Sequence, residues 1–450
     1  MSVKVTVVDT GREDVGRVLA ELRRKLSLQG DVVSERSRAK TVEVFGAALT
    51  PWQVVETICR DVRERGLGAV LEYGGKLDGA GVTAETLRVP EERLAAAHRQ
   101  AAPEFLAAVR AIRGRVLAFQ RAILQRDVEL PCAHGVVLRQ RYRPLRRVGL
   151  CIPGGAAAYP SSVLMTAVPA QAAGVEQLAV IAPPSPFGAD NPDVLATCHE
   201  LGVMEVYRVG GAQGVAALAY GVEGILPVDK IVGPGNLFVA LAKKYVFGQV
   251  AIDSIAGPSE VIVVADGSAD PRFVAADMLA QAEHAPGAAI LMTWSRELLE
   301  GTSRELVQQL ARLSRADLTR RSLEEFGCLM LVRDEDEACR LTDLIAPEHL
   351  QITTRNAAEL AGRLRNAGAV FLGAYSPVAV GDYIAGPSHV LPTSGTARWA
   401  AGLTANDFLR GSSEIQYTAA GLAAVAADVR RMADMEGLTA HRASVDVRTC

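Results

Sequence analysis

The 450-residue chain has no Cys-x-x-Cys pair, and its seven cysteines are scattered and odd in number. Cys59, Cys132, Cys151, Cys198, Cys328, Cys339 and Cys450 therefore argue against a disulfide framework or a thiolate zinc site, and for a reducing compartment. A surplus of one charge is missing too. The formal net charge is -3, with Lys/Arg and Asp/Glu interspersed, so neither a nucleic-acid footprint nor a polybasic membrane patch is expected. The opening Met1-Ser2-Val3-Lys4 lacks the basic-then-apolar pattern of a secretory signal. The one long uncharged run, Val148 to Val175, contains Pro153, Pro160, Pro169 and Gly154-Gly155, which exclude a continuous spanning helix. Gly-x-Gly-x-x-Gly occurs nowhere, so the usual dinucleotide fingerprint is absent. A soluble, cytoplasmic protein with no nucleic-acid or membrane partner is the expectation.

What is present is ordinary globular material. Hydrophobic residues make up 49% and charged residues 22%, enough to bury a core, and the length calls for two or more domains. Thr10 to Arg65 reads as largely helical, with Leu19, Leu22 and Leu26, then Val54, Val55, Ile58 and Val62, at helical spacing. Glu91 to Arg126 reads as a second long amphipathic helical stretch. From Val148 short apolar runs alternate with helical patterns, the βαβ rhythm of a mostly parallel sheet. Gly257-Pro258 breaks that rhythm and marks a domain crossing. After Ala400 the strand texture stops, which predicts a helical tail.

Several polar groups stand out, each with an unremarkable alternative. Gln281 and His284 are three apart near a predicted helix end, a workable divalent-metal pair or simply a cation near the helix dipole. Asp382, between Gly381 and Tyr383, lies beyond the run Phe371-Leu372-Gly373, where open α/β sheets place ligands or where an Asp satisfies a turn. In Ala346-Pro347-Glu348-His349-Leu350 the proline predicts a helix start. Glu348 would then sit ionised at its positive end, beside a histidine suited to general-base work. Cys151-Ile152-Pro153-Gly154-Gly155, Gly210-Gly211-Ala212-Gln213 and Gly233-Pro234-Gly235-Asn236 follow apolar runs. They are turns whose amides are able to cradle a pyrophosphate. Cys151 is either a small buried thiol or a functional one.

Taken together, CIPGGAAAYPSSVLMTAVPAQAAGV from Cys151, GGAQGVAALAYG from Gly210, VDKIVGPGN at 228–236, AGPSEV at 256–261, DMLAQAEH at 277–284, APEHL at 346–350, GDYIAGPSHVLPTSGTAR at 381–398 and EGLTAHR at 436–442 resemble the histidinol dehydrogenase family. The resemblance runs from about Val54 to Arg448, with gaps, and the first fifty residues match poorly. It implies an α/β protein with two Rossmann-like parallel-sheet domains lacking the glycine fingerprint, plus small helical segments at both ends. The expected division is a helical segment at 1–45, a discontinuous α/β domain at 46–145 and 258–400, a cofactor-side α/β domain at 146–257, and a helical tail at 401–450.

The family implies a zinc-dependent homodimer that oxidises L-histidinol to L-histidine in two NAD-linked steps through an enzyme-held aldehyde. A relative acting on another small primary alcohol, such as a sulfonated diol, is the alternative. Position by position, the resemblance implies Gln281, His284, Asp382 and His441 as ligands of one zinc per subunit. His349 would be the base for the alcohol and Glu348 the base for water. Ser259, His389 and Glu436 would join the four ligands and His349 around the substrate, and Cys151, Gln213 and Asn236 would contact NAD. The tail would reach the partner subunit, so that Glu436 and His441 complete the other protomer's site. Cys151, Val378, Ser388 and Phe238 depart from the family's usual tyrosine, glutamate, asparagine and tyrosine; the first puts one cofactor contact in question.

Overall fold

The computed structural model describes residues 3–26, 35–79, 81–155 and 157–449. Two parallel sheets and one small antiparallel sheet organise it. The larger has six strands in the order Thr6–Asp9, Gly327–Leu331, Gly287–Thr293, Ser259–Ala265, His349–Thr353, Ala369–Leu372, all parallel. The second has five in the order Glu205–Arg208, Gln177–Ala182, Arg147–Cys151, Lys230–Val232, Ala251–Ile252, again all parallel. The two-sheet α/β class expected from the sequence is the observed one.

Burial on both faces explains the near-continuous apolar runs. In Ser259–Ala265, Val261, Val263 and Ala265 face one core while Ile262 and Val264 face another, the period of two that a pleated strand imposes. The five-stranded sheet is sandwiched likewise, with Val148 and Leu150 in one cluster and Ala179 and Ile181 in the other. Close packing leaves no room at Gly149, where a Cβ would stand 2.6 Å from the Leu218 side chain.

Several expectations change. Thr6–Asp9 is an edge strand, so the first segment is not purely helical; its helices are Val15–Leu26 and Glu35–Phe45. Leu19 is buried, whereas the side chains of Leu22 and Leu26 lie outside what is described. Val54, Val55, Ile58 and Val62 do form the buried face of helix Pro51–Arg65, which starts with a Thr50–Gln53 capping box and Pro51. The 91–126 stretch breaks into Glu91–Gln100 and Pro103–Ala122, because Pro103 drives Ala102 out of the helical region. These helices were grouped by sequence with residues 258–400, yet they pack on the five-stranded sheet, where Val54, Leu94 and Val109 join its two cores. The tail is not all helix. Leu409–Gln416 is a strand paired antiparallel with Val137–Pro144, followed by helices Ala419–Met435 and Thr439–Thr449. Its polar sequence hid it; main-chain pairing and cross-strand ion pairs such as Arg141–Glu414 (3.1 Å) hold it in place of a buried face.

Among the described residues no helix is long and apolar enough to cross a membrane.

Three helices are joined at Glu200, whose carboxylate accepts from His98 Nε2 at 2.7 Å and from Arg110 Nε and Nη2 at 2.8 and 2.9 Å. The Arg110 hydrogen bond, more than the histidine, holds its carboxyl down at about 2. A depressed folded value contributes stability that is fully present above the ordinary 4.5 and is lost as pH falls toward about 2. Glu200→Gln should therefore cost on the order of 1 kcal/mol near neutral pH, kept small by solvent screening of Arg110. Urea unfolding should show the gap to the parent protein closing as the solution is acidified through that window.

Candidate active site

A cavity of about 670 Å³ lies where the two parallel sheets meet. The five-stranded sheet offers its carboxyl edge: Cys151 ends one strand, and the turns at Pro183–Ser185, Gly210-Gly211 and Pro234–Asn236 follow the next three. Ligands in open α/β proteins gather at that edge. The six-stranded sheet turns its amino edge to the same space, since Ser259 and His349 are the first residues of their strands.

Helix Glu335–Ile345 ends at Ala346 in the left-handed region (φ 54°), and Pro347-Glu348 leads directly into the His349 strand. The expected helix start at Pro347 is absent, and with it the dipole that would have ionised Glu348. Instead Glu348 is 6% exposed and His349 4%. Burial, with some help from the Asp382 carboxylate, raises the Glu348 carboxyl to about 8, although the Ser259 hydroxyl and Glu260 N–H pull the other way. Those two donors reach Oε2 at 2.6 and 3.0 Å. Ser259 Oγ in turn accepts from Gln281 Nε2 at 2.7 Å, so a three-residue relay fixes the carboxyl.

His349 Nδ1 lies 3.2 Å from the Glu260 carbonyl oxygen, which requires the proton on Nδ1 and leaves Nε2 as the basic nitrogen. Nε2 is 3.8 Å from Asp382 Oδ1. Burial lowers the His349 pKa, so the ring is neutral near pH 7 and able to take a proton. Burial likewise lowers His284 and His389, with Asp382 opposing in both cases. His389 Nδ1 donates to the Asp382 carbonyl oxygen at 3.0 Å.

The structure thus gathers Ser259, His284, Glu348, His349, Asp382 and His389 around one cavity, with Gln281 behind Ser259. Asp382 is not in the loop at a strand's carboxyl end, as expected, but on helix Val378–Tyr383, which carries the chain back to the amino edge. His284 stands two residues past the end of helix Pro271–Ala282 rather than within it. Glu436 and His441 do not line the cavity of their own chain; both are exposed, Glu436 capping one terminal helix and His441 in the next. Among the described residues no three His, Cys, Asp or Glu side chains form a ready-made metal cluster.

On the other wall, Asn236 Oδ1 caps helix Leu237–Val246 by accepting from Phe238 and Val239 N–H, which leaves its amide NH2 toward the cavity. Gln213 does not line the cavity: it is buried behind this wall, with Nε2 donating to Asp78 Oδ2 at 3.2 Å and Oε1 lacking a partner. Glu260 escaped the sequence reading. Its carbonyl orients His349 and its own buried carboxyl is raised to about 8 by burial and by Glu348. A glutamate interrupting the apolar run Ser259–Ala265 was the available signal.

Residues 48–449 match the family model described as Histidinol dehydrogenase. The chain is 60% identical to the histidinol dehydrogenase of Rhodopirellula baltica over 98% of its length and 96% of that protein. It is 48% identical to that of a Synechococcus strain over 88% and 91%. Its fold superposes on the crystal structure of histidinol dehydrogenase from Elizabethkingia anophelis with a TM-score of 0.88 at 30% identity, covering 100% of this chain and 98% of the other.

Cys151 is 3% exposed and burial pushes its thiol up to about 12. It should therefore stay unmodified by iodoacetamide at mildly alkaline pH until the protein is denatured, as peptide mass mapping will show. Native labelling at the rate of a free surface thiol would contradict this assignment.

Proposed function

Because the chain belongs to the histidinol dehydrogenase family, we propose that it oxidises L-histidinol to L-histidine through L-histidinaldehyde, a four-electron reaction that reduces two NAD. Membership makes it an oxidoreductase of histidine biosynthesis, and a cytoplasmic location belongs to the same reading. The observation that carries the proposal is the adjacent pair Glu348–His349, buried on one cavity, the carboxyl held by the Ser259 hydroxyl and Glu260 N–H and the imidazole by the Glu260 carbonyl.

Each half-reaction then has its own base. His349, proton on Nδ1, takes the alcohol proton at Nε2 as the first hydride leaves. Glu348 takes a proton from water, so that hydroxide adds to the aldehyde carbon before the second hydride leaves; a carboxyl near 8 is poised for that at physiological pH. Ser259, His284, Asp382 and His389 surround the substrate.

Bound NAD supplies the hydride acceptor at both steps. The carboxyl edge of residues 146–257 suits it, since the Asn236 amide offers a polar contact and Cys151 an apolar one, while Gln213 lies behind that wall, bonded to the lining Asp78. Zinc, one per subunit, supplies a fixed positive charge that grips the amino-alcohol end of the substrate. The donor set suits that ion: an imidazole at His284, a carboxylate at Asp382, and the amide oxygen of Gln281, whose NH2 is committed to Ser259. His441, with Glu436, would come from the tail of a partner subunit in a homodimer. Support for that arrangement is the apolar surface on the terminal helices and the turn between them, where Met432, Met435, Leu438 and Val447 are exposed.

The test is a steady-state assay with L-histidinol and NAD on zinc-loaded protein, in which two NADH should form per histidinol consumed. No NADH would remove the reading. His349→Asn should slow histidinol oxidation by about a hundredfold or more while histidinaldehyde is still turned over. Glu348→Gln should do the reverse, and parental rates for both variants with both substrates would refute the division. His441→Asn should lose zinc on dialysis against a chelator that leaves the parent loaded, with metal content read by mass spectrometry.

A further inference from the structure

Beneath the cofactor wall lies an ion pair that neither base nor substrate touches. Lys243, on helix Leu237–Val246, has 2% of its side chain exposed, and Asp253, just past strand Ala251–Ile252, has 4%; Nζ contacts Oδ1. Burying two charges is costly unless their remaining hydrogen-bonding capacity is also used. Here two of the three further bonds go to a single glycine. Lys243 Nζ donates to the Gly233 carbonyl at 3.0 Å, and Asp253 Oδ2 accepts from the Gly233 N–H at 2.7 Å. The other Asp253 oxygen accepts from Ser254 N–H at 2.7 Å.

Gly233 needs such a grip. Its φ of +108° is open to glycine, and a Cβ there would stand 2.4 Å from the Cys151 carbonyl oxygen, so the turn is pressed against the neighbouring strand end. The next three residues, Pro234, Gly235 and Asn236, line the cavity, and so does Cys151. The pair therefore clamps, through both peptide groups of one residue, the turn that joins strand Lys230–Val232 to helix Leu237–Val246.

We propose that Lys243 and Asp253 are positioning residues for the nicotinamide cofactor, holding the Gly233–Asn236 turn in the shape that binds it. This rests on the reading of that wall as the NAD side. Neither residue meets the reacting atoms; they act by placing Asn236 and the backbone beside it.

The clamp is tested with two neutral double variants, Lys243→Met/Asp253→Asn, which has no donor for the Gly233 carbonyl, and Lys243→Gln/Asp253→Asn, which retains one. Both avoid stranding a buried charge. Thermal unfolding, direct titration with NAD, and initial rates with each substrate varied are measured on zinc-loaded protein. In the Met/Asn protein, KM and Kd for NAD should rise about tenfold to a hundredfold. KM for histidinol and kcat at saturating NAD should move by less than about threefold. The Gln/Asn protein should recover part of the NAD affinity. A well-folded Met/Asn protein that binds NAD like the parent would overturn the proposal. So would equal losses for both substrates, or failure of both variants to fold, since either marks the pair as a core element only. The titration separates this from the functional reading: a parent that binds NAD but never reduces it with histidinol sinks the function and leaves the clamp to be judged by Kd.

Discussion

The architecture of the cavity depends on keeping one carboxyl, Glu348, inside the protein. A carboxylate taken out of water resists ionisation, and here burial dominates, lifting the group to about 8. Such a group would be a structural fault without partners. Ser259 Oγ and the Glu260 N–H meet it at 2.6 and 3.0 Å, and both come from the strand that pairs with the one Glu348 leads into. The register that sets His349 opposite Val261 also brings Glu260 beside Glu348, so strand pairing places the buried carboxyl and its support together. The same Glu260 orients His349 through its carbonyl. Two neighbouring residues thereby acquire different environments: one an acid kept reluctant to ionise, the other an imidazole kept neutral.

The second constraint is the meeting of unlike sheet edges. The five-stranded sheet brings glycine-rich turns from its carboxyl edge, where backbone amides and helix starts converge. The six-stranded sheet brings the first residues of its strands, Ser259 and His349, to the same cavity. An open α/β domain alone would place its ligands only at the former. Opposing the edges sets glycine-rich turns on one wall and titratable side chains on the other, around one cavity of about 670 Å³.

Much of this was written in local pattern. Doubly buried strands announced themselves as apolar runs, and Val54 to Val62 as a helix face, because burial selects side chains at the period of the backbone. Elements that are not held by burial were invisible. Leu409–Gln416 is exposed on both faces and is a strand only because Val137–Pro144 offers its edge. Pro347 suggested a helix start by propensity, yet it lies between the Ala346 helix cap and a strand fixed by its neighbours. Helices at 51–122 carried the right apolar faces but no mark of which sheet would cover them.

By itself the sequence determined the α/β class and the family, and it singled out Ser259, His284, Glu348, His349, Asp382 and His389, which line the cavity, since residue type and spacing are local properties of a chain. Only the tertiary structure decided that Glu348 is a buried acid near 8 rather than an ionised helix cap, that Glu260 orients His349, and that Lys243 and Asp253 clamp Gly233. The physical reason is that desolvation and hydrogen-bond geometry arise from groups distant in sequence, and their magnitude is fixed only when folding removes the water between them.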